Sequence, residues 1–561
     1  MTRPRRGGRA PRSAVAALVV AVVVTVLTAP PGVAGTAART DAATATGAPA
    51  PVAWRACVEP DLAALGLQCA DVAVPRDHRR PHGRRLTLAV ARRPADGPAG
   101  QRLGSLVVQP GGPGIPGRST AGMLAARLAP DVLARYDVVG VDPRGVGGSM
   151  PRLSCDPAQL APVQPDPVPA GPAQEAAMLA GAAGYARECA AAHGDLLAHL
   201  SSADAARDLE VVRRALGERT LHLAGYGYGA YVAALYATLH PRTVGRLVLD
   251  SSLRPDGDLY QHYLDQSRDF DVRAHEFFAW AARHDGTYGL GGTEGEVAAA
   301  YHALRARTAQ APVDGVVGPW ELEATFLNLG WETAFWPILG QVLADAAVHG
   351  DTTLLRLVHQ DFGAHPDDTS YAAYTAAQCT DARWSRDWRR WRRDAAATHA
   401  QAPFATWNNV WYVAPCVAWP VKARPVAVHG GRVPALVVHA THDAGMRLSG
   451  GLAMHAAFPA SRLVLSDGGR EHSVSLVRGD ACVDPVVVRY LVDGALPADA
   501  SGPGADVTCP AGPEPVPWPA AALSGPDAAG ARSHAVEPAP TGPPDAPTAP
   551  GVATPWARAR G

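Results

Sequence analysis

The fold of this chain is decided by the stretch Leu221-His-Leu-Ala-Gly225-Tyr226-Gly227-Tyr228-Gly229-Ala-Tyr231. Its first residues form a short apolar run, which is typical of a buried strand. Glycine then occupies every second position, and an alanine-rich run continues to His240. The pattern predicts a strand that turns sharply into a helix.

A sharp strand-to-helix turn is the setting of the G-x-S-x-G nucleophile elbow. In that motif the serine hydroxyl projects above the sheet, where a histidine can remove its proton. The corresponding residue here is Gly227, which preserves the turn but carries no nucleophile. Because glycine-rich turns are also common structural devices, the rest of the chain must decide between the two interpretations.

A second glycine turn follows the predicted strand Ser105 to Gln109 and reads Pro110-Gly111-Gly112-Pro113-Gly114. Turns of this kind can aim backbone N–H groups at a developing oxyanion, and the partner donor is the amide after the elbow position, here Tyr228. An ordinary tight turn is the alternative. We therefore take Gly111, Gly112 and Tyr228 as the candidate oxyanion residues.

An acid and a histidine follow two later predicted strands. Asp443 comes after the strand Ala435 to Ala440, and His472 lies in the loop after Arg462 to Leu465. Their order after the elbow, nucleophile then acid then base, is that of the α/β-hydrolases. The sequence therefore predicts Asp443 and His472 as catalytic partners of a position that Gly227 now fills.

The remaining pattern favours an α/β fold. Short apolar runs at Asp137 to Val141 and Arg246 to Asp250, with a helical pattern at Ala203 to Leu216, indicate strands that alternate with helices. Such alternation predicts a mostly parallel sheet flanked by helices, the α/β-hydrolase fold.

A helical cap is predicted between two strands of this sheet, over residues 252–433. Helical patterns such as Val272 to His284 and Glu294 to Ala309 dominate this segment. It holds 10 of the 13 tryptophans, which either line a pocket or pack the cap onto the body. Trp384, Trp388 and Trp391 have helical spacing among arginines, and we interpret them as a stripe that faces the core.

Composition restricts the class of protein. The chain has 561 residues, 47% of them hydrophobic, and a net charge of -1, so it gives no electrostatic basis for binding nucleic acid. Arginines at the N-terminus precede an apolar run from Ala14 to about Ala29 and then small residues. This order predicts a signal peptide over residues 1–37 and a secreted, extracellular protein without stable membrane insertion after cleavage; an uncleaved anchor is the alternative.

The predicted organisation has six parts. They are the signal peptide, a disordered linker at 38–51, the first part of the core at 52–251, the cap at 252–433, the second part of the core at 434–510, and a disordered tail rich in proline and alanine at 511–561.

Eight cysteines fit export, because an even number without C-x-x-C spacing favours disulfides over a zinc site. Sequence alone does not select among the 105 possible pairings. Closure between neighbours is the least demanding solution, and it joins Cys57 to Cys69, Cys155 to Cys189, Cys379 to Cys416, and Cys482 to Cys509.

The motifs described so far, together with Asp142-Pro-Arg144-Gly145, Arg207-Asp208-Leu209 and Val244 to Asp250, resemble the secreted tripeptidyl aminopeptidases of actinobacteria, which are relatives of the proline iminopeptidases. The resemblance covers essentially the whole folded body. It implies a capped serine exopeptidase that releases short peptides from a free N-terminus and needs no cofactor or metal. It also implies that cap acids bind the substrate amine, for which Glu321, Glu323 and Glu332 are equal candidates.

Two departures from that family affect the expected function. Gly227 replaces the serine, and Gly114-Ile115-Pro116-Gly117 stands where relatives usually carry Gly-Ser-Gly after Gly-Pro-Gly. We therefore expect a catalytically silent or severely impaired hydrolase homologue that binds a peptide or a small acyl or amide ligand.

Two alternatives to a silent homologue stay open. One is an active hydrolase or aminopeptidase that uses water activated by His472 or a displaced serine such as Ser251 or Ser252. The other is a metal cluster formed by His439, His442 and Asp443, although strand alternation tends to point neighbouring side chains apart.

Overall fold

A computed structural model describes residues 51–364, 368–500, 502 and 504–518 of the chain. The predicted signal peptide, almost all of the linker, and the tail beyond residue 518 lie outside the described residues. None of the described helices is long and apolar enough to cross a membrane.

The described residues form one ten-stranded sheet. Its strands are β1 (Arg55–Ala56), β2 (Gln68–Pro75), β3 (Arg85–Arg93), β4 (Gly104–Gln109), β5 (Tyr136–Val141), β6 (Leu221–Tyr226), β7 (Val244–Asp250), β8 (Ala435–Ala440), β9 (Ser461–Asp467) and β10 (Val507–Pro510). Their order across the sheet is β1-β2-β3-β5-β4-β6-β7-β8-β9-β10. The pairs from β5 to β10 are parallel, whereas β1, β2 and β3 join the edge beside β5 in antiparallel pairs. This mostly parallel sheet confirms the predicted fold class.

Central strands are buried on both faces, which explains their composition. Every residue of β4, β5, β6 and β8 is buried. Strands covered on two sides must be apolar almost continuously, and valine and leucine suit them because branched side chains pack well on a pleated surface. Helices of the body supply the covering layers: α1 (Pro60–Ala64), α2 (Gly117–Ala125), α3 (Pro130–Arg135), α4 (Pro172–His193), α5 (Ser202–Ala215), α6 (Tyr228–Leu239), α17 (Leu448–Ala457) and α18 (Val483–Asp493).

The cap is inserted between β7 and β8. Apart from an isolated bridge between Val313 and Val317, its described residues form no strand. Its α-helices are α7 (Leu259–Arg283), α8 (Asp285–Tyr288), α9 (Glu294–Gln310), α10 (Pro319–Phe326), α11 (Asn328–Trp331), α12 (Trp336–Ala344), α13 (Thr353–Val358), α14 (Thr369–Asp381), α15 (Trp388–His399) and α16 (Thr406–Val413). The cap has an aromatic core of its own, built around Phe277, Trp280 and Trp336.

Tryptophans of the cap serve both purposes that the sequence allowed. Trp280 and Trp336 are buried in the cap core, whereas Trp320 and Trp331 line a cavity. In the stripe formed by the start of α15 and the segment before it, Trp384 and Trp388 both stack on Trp391, which is 2% exposed. The neighbouring Arg389 has a side chain that is 93% exposed, so the stripe faces the core and the arginines face solvent.

Four disulfides are present, with the pairing of neighbours that the sequence favours: Cys57 with Cys69, Cys155 with Cys189, Cys379 with Cys416, and Cys482 with Cys509. The last bond joins the start of α18 to β10, the strand at one edge of the sheet. It therefore fixes the final strand that the described residues contribute.

The predicted disordered tail begins too early. Residues 511–518 are described, and Glu514 pairs with Arg283 while the carbonyl of Pro515 accepts a hydrogen bond from the Trp280 indole at 2.8 Å. A segment poor in apolar residues forms no core, but its backbone can still be ordered by packing on an existing one. The part of the tail that contacts the cap therefore extends at least to Trp518, which packs against the cap core.

Candidate active site

Gly227 lies between the last residue of β6 and the first residue of α6, at the carboxyl edge of the parallel strands. Its backbone has φ 56° and ψ -118°, a conformation that is strained for any residue with a side chain. Its N–H donates to the carbonyl of Asp250 at 2.9 Å. The turn therefore retains the elbow geometry although the side chain is absent.

The two flanking glycines are required by close packing. A Cβ on Gly225 would lie 2.6 Å from the carbonyl oxygen of Gly229, and a Cβ on Gly229 would lie 2.2 Å from that of Gln109 at the end of β4. Real Cβ atoms do not approach backbone so closely, so only glycine lets α6 start this near to the sheet. The alternating glycines are thus required by the tight contact between the elbow and the sheet.

His472 and Asp443 are brought together beside Gly227. The Nδ1 atom of His472 lies 3.0 Å from Oδ2 and 3.2 Å from Oδ1 of Asp443. A Cβ built on Gly227 would lie only 2.7 Å from Nε2 of the same ring. The imidazole therefore joins the acid on one side and reaches the elbow on the other, which is the arrangement of acid, base and nucleophile position in a triad.

Asp443 is held by the loop after β8. Its Oδ1 accepts hydrogen bonds from the backbone N–H groups of Gly445 at 2.8 Å and Met446 at 3.0 Å. Burial opposes ionisation of Asp443, but the charge and hydrogen bond of His472 outweigh it and lower the pKa of the carboxyl. Burial likewise opposes the charged form of His472, yet Asp443 raises its pKa above the ordinary value. The two groups therefore favour the ionised pair.

The loop that carries His472 is fixed by a buried carboxylate at the end of β7. Asp250 accepts hydrogen bonds from the backbone N–H groups of Val474 and Ser475, and from the hydroxyls of Ser475 and Ser251. The Ser251 hydroxyl also accepts the N–H of Ser473 at 2.9 Å, whereas the Ser252 hydroxyl donates to the carbonyl of Leu253. Both candidate displaced serines are therefore engaged in holding backbone.

The cap contacts the same loop directly. The N–H of His472 donates to the carbonyl of Trp331 at 2.9 Å, and the rings of these residues meet edge to face with centroids 5.1 Å apart. Arg478 pairs with the cap residue Glu332 at 2.9 Å and with Glu471 at 3.6 Å. Sequence reasoning missed this pairing, because a lone arginine after the histidine carries no motif.

One cavity of about 240 Å³ lies between the cap and the carboxyl edge of the sheet. Gly111, Gly112, Tyr228 and His472 all line it, so the structure gathers the predicted oxyanion residues and the base at one place. Ile115 also lines it, and its Cγ1 lies 3.2 Å from the position of a Cβ on Gly112. The altered loop therefore adds apolar bulk beside the oxyanion turn.

The three cap acids differ in their surroundings. Glu323 is absent from the cavity lining and pairs with Arg305 at 2.7 Å, and burial raises its pKa to about 8. Glu321 lines the cavity, but its two oxygens accept the N–H groups of Gln164 and Gly318. Glu332 lines the cavity as well, and its Oε2 has no hydrogen-bond partner among the described residues.

The hypothesis of a metal cluster gains no support from the geometry. His439 is buried and lies 3.9 Å from Asp443, whereas His442 is exposed. Within the described ranges, no group of three or more histidine, cysteine or acidic side chains could hold a metal ion.

Comparison with known proteins identifies the family of this chain. The family described as alpha/beta hydrolase fold matches residues 104–475 of the chain. The chain belongs to the α/β-hydrolase family. That match spans the oxyanion turn, the elbow, the cap, Asp443 and His472.

Relatives of this α/β-hydrolase include named peptidases. The chain is 36% identical to the tripeptidyl aminopeptidase of Streptomyces coelicolor over 481 residues, which cover 83% of this chain and 87% of the relative. It is 29% identical to the serine protease Hip1 of Mycobacterium tuberculosis, with 80% of this chain and 90% of the relative covered. It is 31% identical to carboxylesterase B of the same species, with 84% and 94% covered. The chain is thus related to tripeptidyl aminopeptidases over most of its length.

Proposed function

We propose that this α/β-hydrolase is a secreted, non-catalytic homologue of the tripeptidyl aminopeptidases that binds short peptides in the cavity beneath its cap. The observation that carries the proposal is Gly227 at the elbow, where no nucleophilic side chain stands beside Nε2 of His472, which lies 2.7 Å from the position of a Cβ on that residue. Four disulfides support the secreted location, because such bonds persist in oxidising compartments.

Retention of the cavity favours binding over loss of all function. The oxyanion turn, the base and a buried acid of the cap still line one space of about 240 Å³. Glu332 is the strongest candidate for the peptide ammonium, because its side chain is 2% exposed and one of its oxygens is unpartnered among the described residues. Burial raises the pKa of Glu332 against the opposing effect of Arg478, and an incoming cation favours its ionised form.

Glu332→Gln is expected to weaken the binding of a tripeptide with a free N-terminus by about tenfold, which is the size of one lost charge-assisted hydrogen bond. Isothermal titration calorimetry measures the change in Kd. The N-acetylated tripeptide should bind both proteins equally weakly, since it carries no ammonium.

Glu323→Gln provides the matched control, because it makes the same change in a buried acid of the cap that does not line the cavity. Equal affinities of the wild type and Glu332→Gln for the free tripeptide would contradict the assignment of Glu332. A failure of every short peptide to bind the wild type would contradict the proposed function itself.

The alternative, an active hydrolase, requires turnover that depends on His472. Release of chromophore from a tripeptidyl p-nitroanilide by the wild type, lost in His472→Ala, would favour water or a displaced serine as nucleophile. We expect no release, since the hydroxyls of Ser251 and Ser252 are engaged elsewhere.

A further inference from the structure

We propose that the cavity selects free short peptides that carry both an N-terminal ammonium and a C-terminal carboxylate, and that the carboxylate lies between His472 and the start of α6. This inference rests on the proposed function and names its ligand class. In chemical terms the protein would bind what a tripeptidyl aminopeptidase releases, instead of the N-terminus of a long chain.

The space at the elbow contains no nucleophilic side chain. In an active relative of this fold, a serine oxygen would attack the carbonyl carbon of a bound peptide at this point. With Gly227 there is no side chain to form that bond, and Nε2 of His472 lies 2.7 Å from the position that a Cβ would occupy. The groups that would stabilise a transient oxyanion therefore lie beside a space in which no acyl transfer to a serine can occur.

The end of the cavity beside His472 favours a negatively charged ligand group. Nδ1 of His472 lies 3.0 Å from Oδ2 of Asp443, and this carboxylate raises the pKa of the imidazole and so favours its protonated form. The N-terminus of α6, a helix of 12 residues, begins at Tyr228 on the same cavity. Helix N-termini carry partial positive charge and backbone N–H groups that helical bonding leaves available. An imidazolium beside such a helix end suits a stable carboxylate better than a neutral peptide carbonyl.

The same cavity also offers a negatively charged group for the peptide ammonium. Glu332 lines the same cavity with an oxygen that has no hydrogen-bond partner among the described residues, and its side chain is 2% exposed. The residue before Glu332, Trp331, accepts the backbone N–H of His472 at 2.9 Å, so the acid and the histidine lie in neighbouring parts of the cavity wall. A ligand that joins an ammonium to a carboxylate over a short distance matches both groups at once, which a long polypeptide cannot do.

The test compares three forms of trialanine by calorimetry on the full-length secreted protein: the free peptide, its C-terminal amide, and its N-acetyl derivative. We expect the amide to bind at least tenfold more weakly than the free peptide. In His472→Gln the ratio of the two Kd values should fall to about one. In Glu332→Gln both peptides should weaken together, so that the ratio persists.

The outcomes separate this inference from the proposed function. An amide that binds as well as the free peptide, or better, overturns the carboxylate site while peptide binding stands. Absence of binding by all three peptides overturns both. The comparison of free and amidated peptide uses the wild type alone, so the result does not depend on whether a variant folds.

Discussion

Gly227→Ser is expected to convert this protein into an enzyme that cleaves tripeptidyl p-nitroanilides, with kcat/KM on the order of a thousand-fold or more above that of the wild type. Loss of the nucleophile in a triad enzyme lowers turnover by about a million-fold, and an unoptimised site should regain a large part of this. The acid, the base and the oxyanion turn already line the cavity or meet at its edge. Of the three triad groups, only the nucleophilic hydroxyl is missing.

The same substitution is expected to lower stability. Any side chain at position 227 adopts a backbone conformation with φ near 56°, which costs about 1–3 kcal/mol. In addition, the His472 ring must shift, because a Cβ would lie 2.7 Å from Nε2. Gly227→Ala is the matched control, since it imposes the same strain without a nucleophile. It should lose similar stability and gain no activity.

If Gly227→Ser is inactive, we expect the altered oxyanion loop to be the cause. Ile115 and Pro116 directly follow the oxyanion turn, and Ile115 lines the cavity. The triple variant Gly227→Ser, Ile115→Ser, Pro116→Gly would then be expected to show the activity. If that variant were folded and inactive as well, Asp443 and His472 would not constitute a working pair.

Arg478→Met is expected to destabilise the protein by about 3–5 kcal/mol, because it leaves the carboxylate of Glu332 buried without its partner. The two side chains are 19% and 2% exposed, so solvent does little to compensate. Their bond also ties the cap to the loop of His472, next to the bond between His472 and Trp331. Chemical denaturation followed by circular dichroism measures the change in the free energy of unfolding.

The double variant Glu332→Gln, Arg478→Met supplies the control for that prediction. With the acid neutralised, most of the lost stability should return, since no unpaired charge remains buried. A double variant as unstable as Arg478→Met would show that the arginine acts by packing alone. Wild-type stability in the single variant would contradict the assignment of this ion pair as a connection between cap and body.

Local chemistry predicted the parts of the fold that carry strong sequence patterns. Runs such as Asp137 to Val141, which are apolar after the first residue, predicted strands, because strands buried on two faces favour apolar side chains. By contrast, β2 and β3 were not anticipated. They pair at the antiparallel edge and mix buried and exposed residues, so their apolar pattern is weak.

The site was predictable where the motif fixes the backbone and not where the fold brings distant groups together. Gly227, Asp443 and His472 each follow a strand, and parallel strands present their carboxyl ends at one edge. The choice among Glu321, Glu323 and Glu332 needed the cavity, because the three acids lie close in sequence but face different partners. The pairing of Arg478 with Glu332 spans cap and body, which no local pattern reveals.

The central claim is that no nucleophile stands at the elbow, and covalent labelling tests it most directly. Intact-mass spectrometry should show no adduct when the wild type is treated with a fluorophosphonate probe, whereas Gly227→Ser should gain the mass of one probe. One adduct per wild-type chain, abolished by His472→Ala, would contradict the claim, because it would place a reactive hydroxyl within reach of this imidazole.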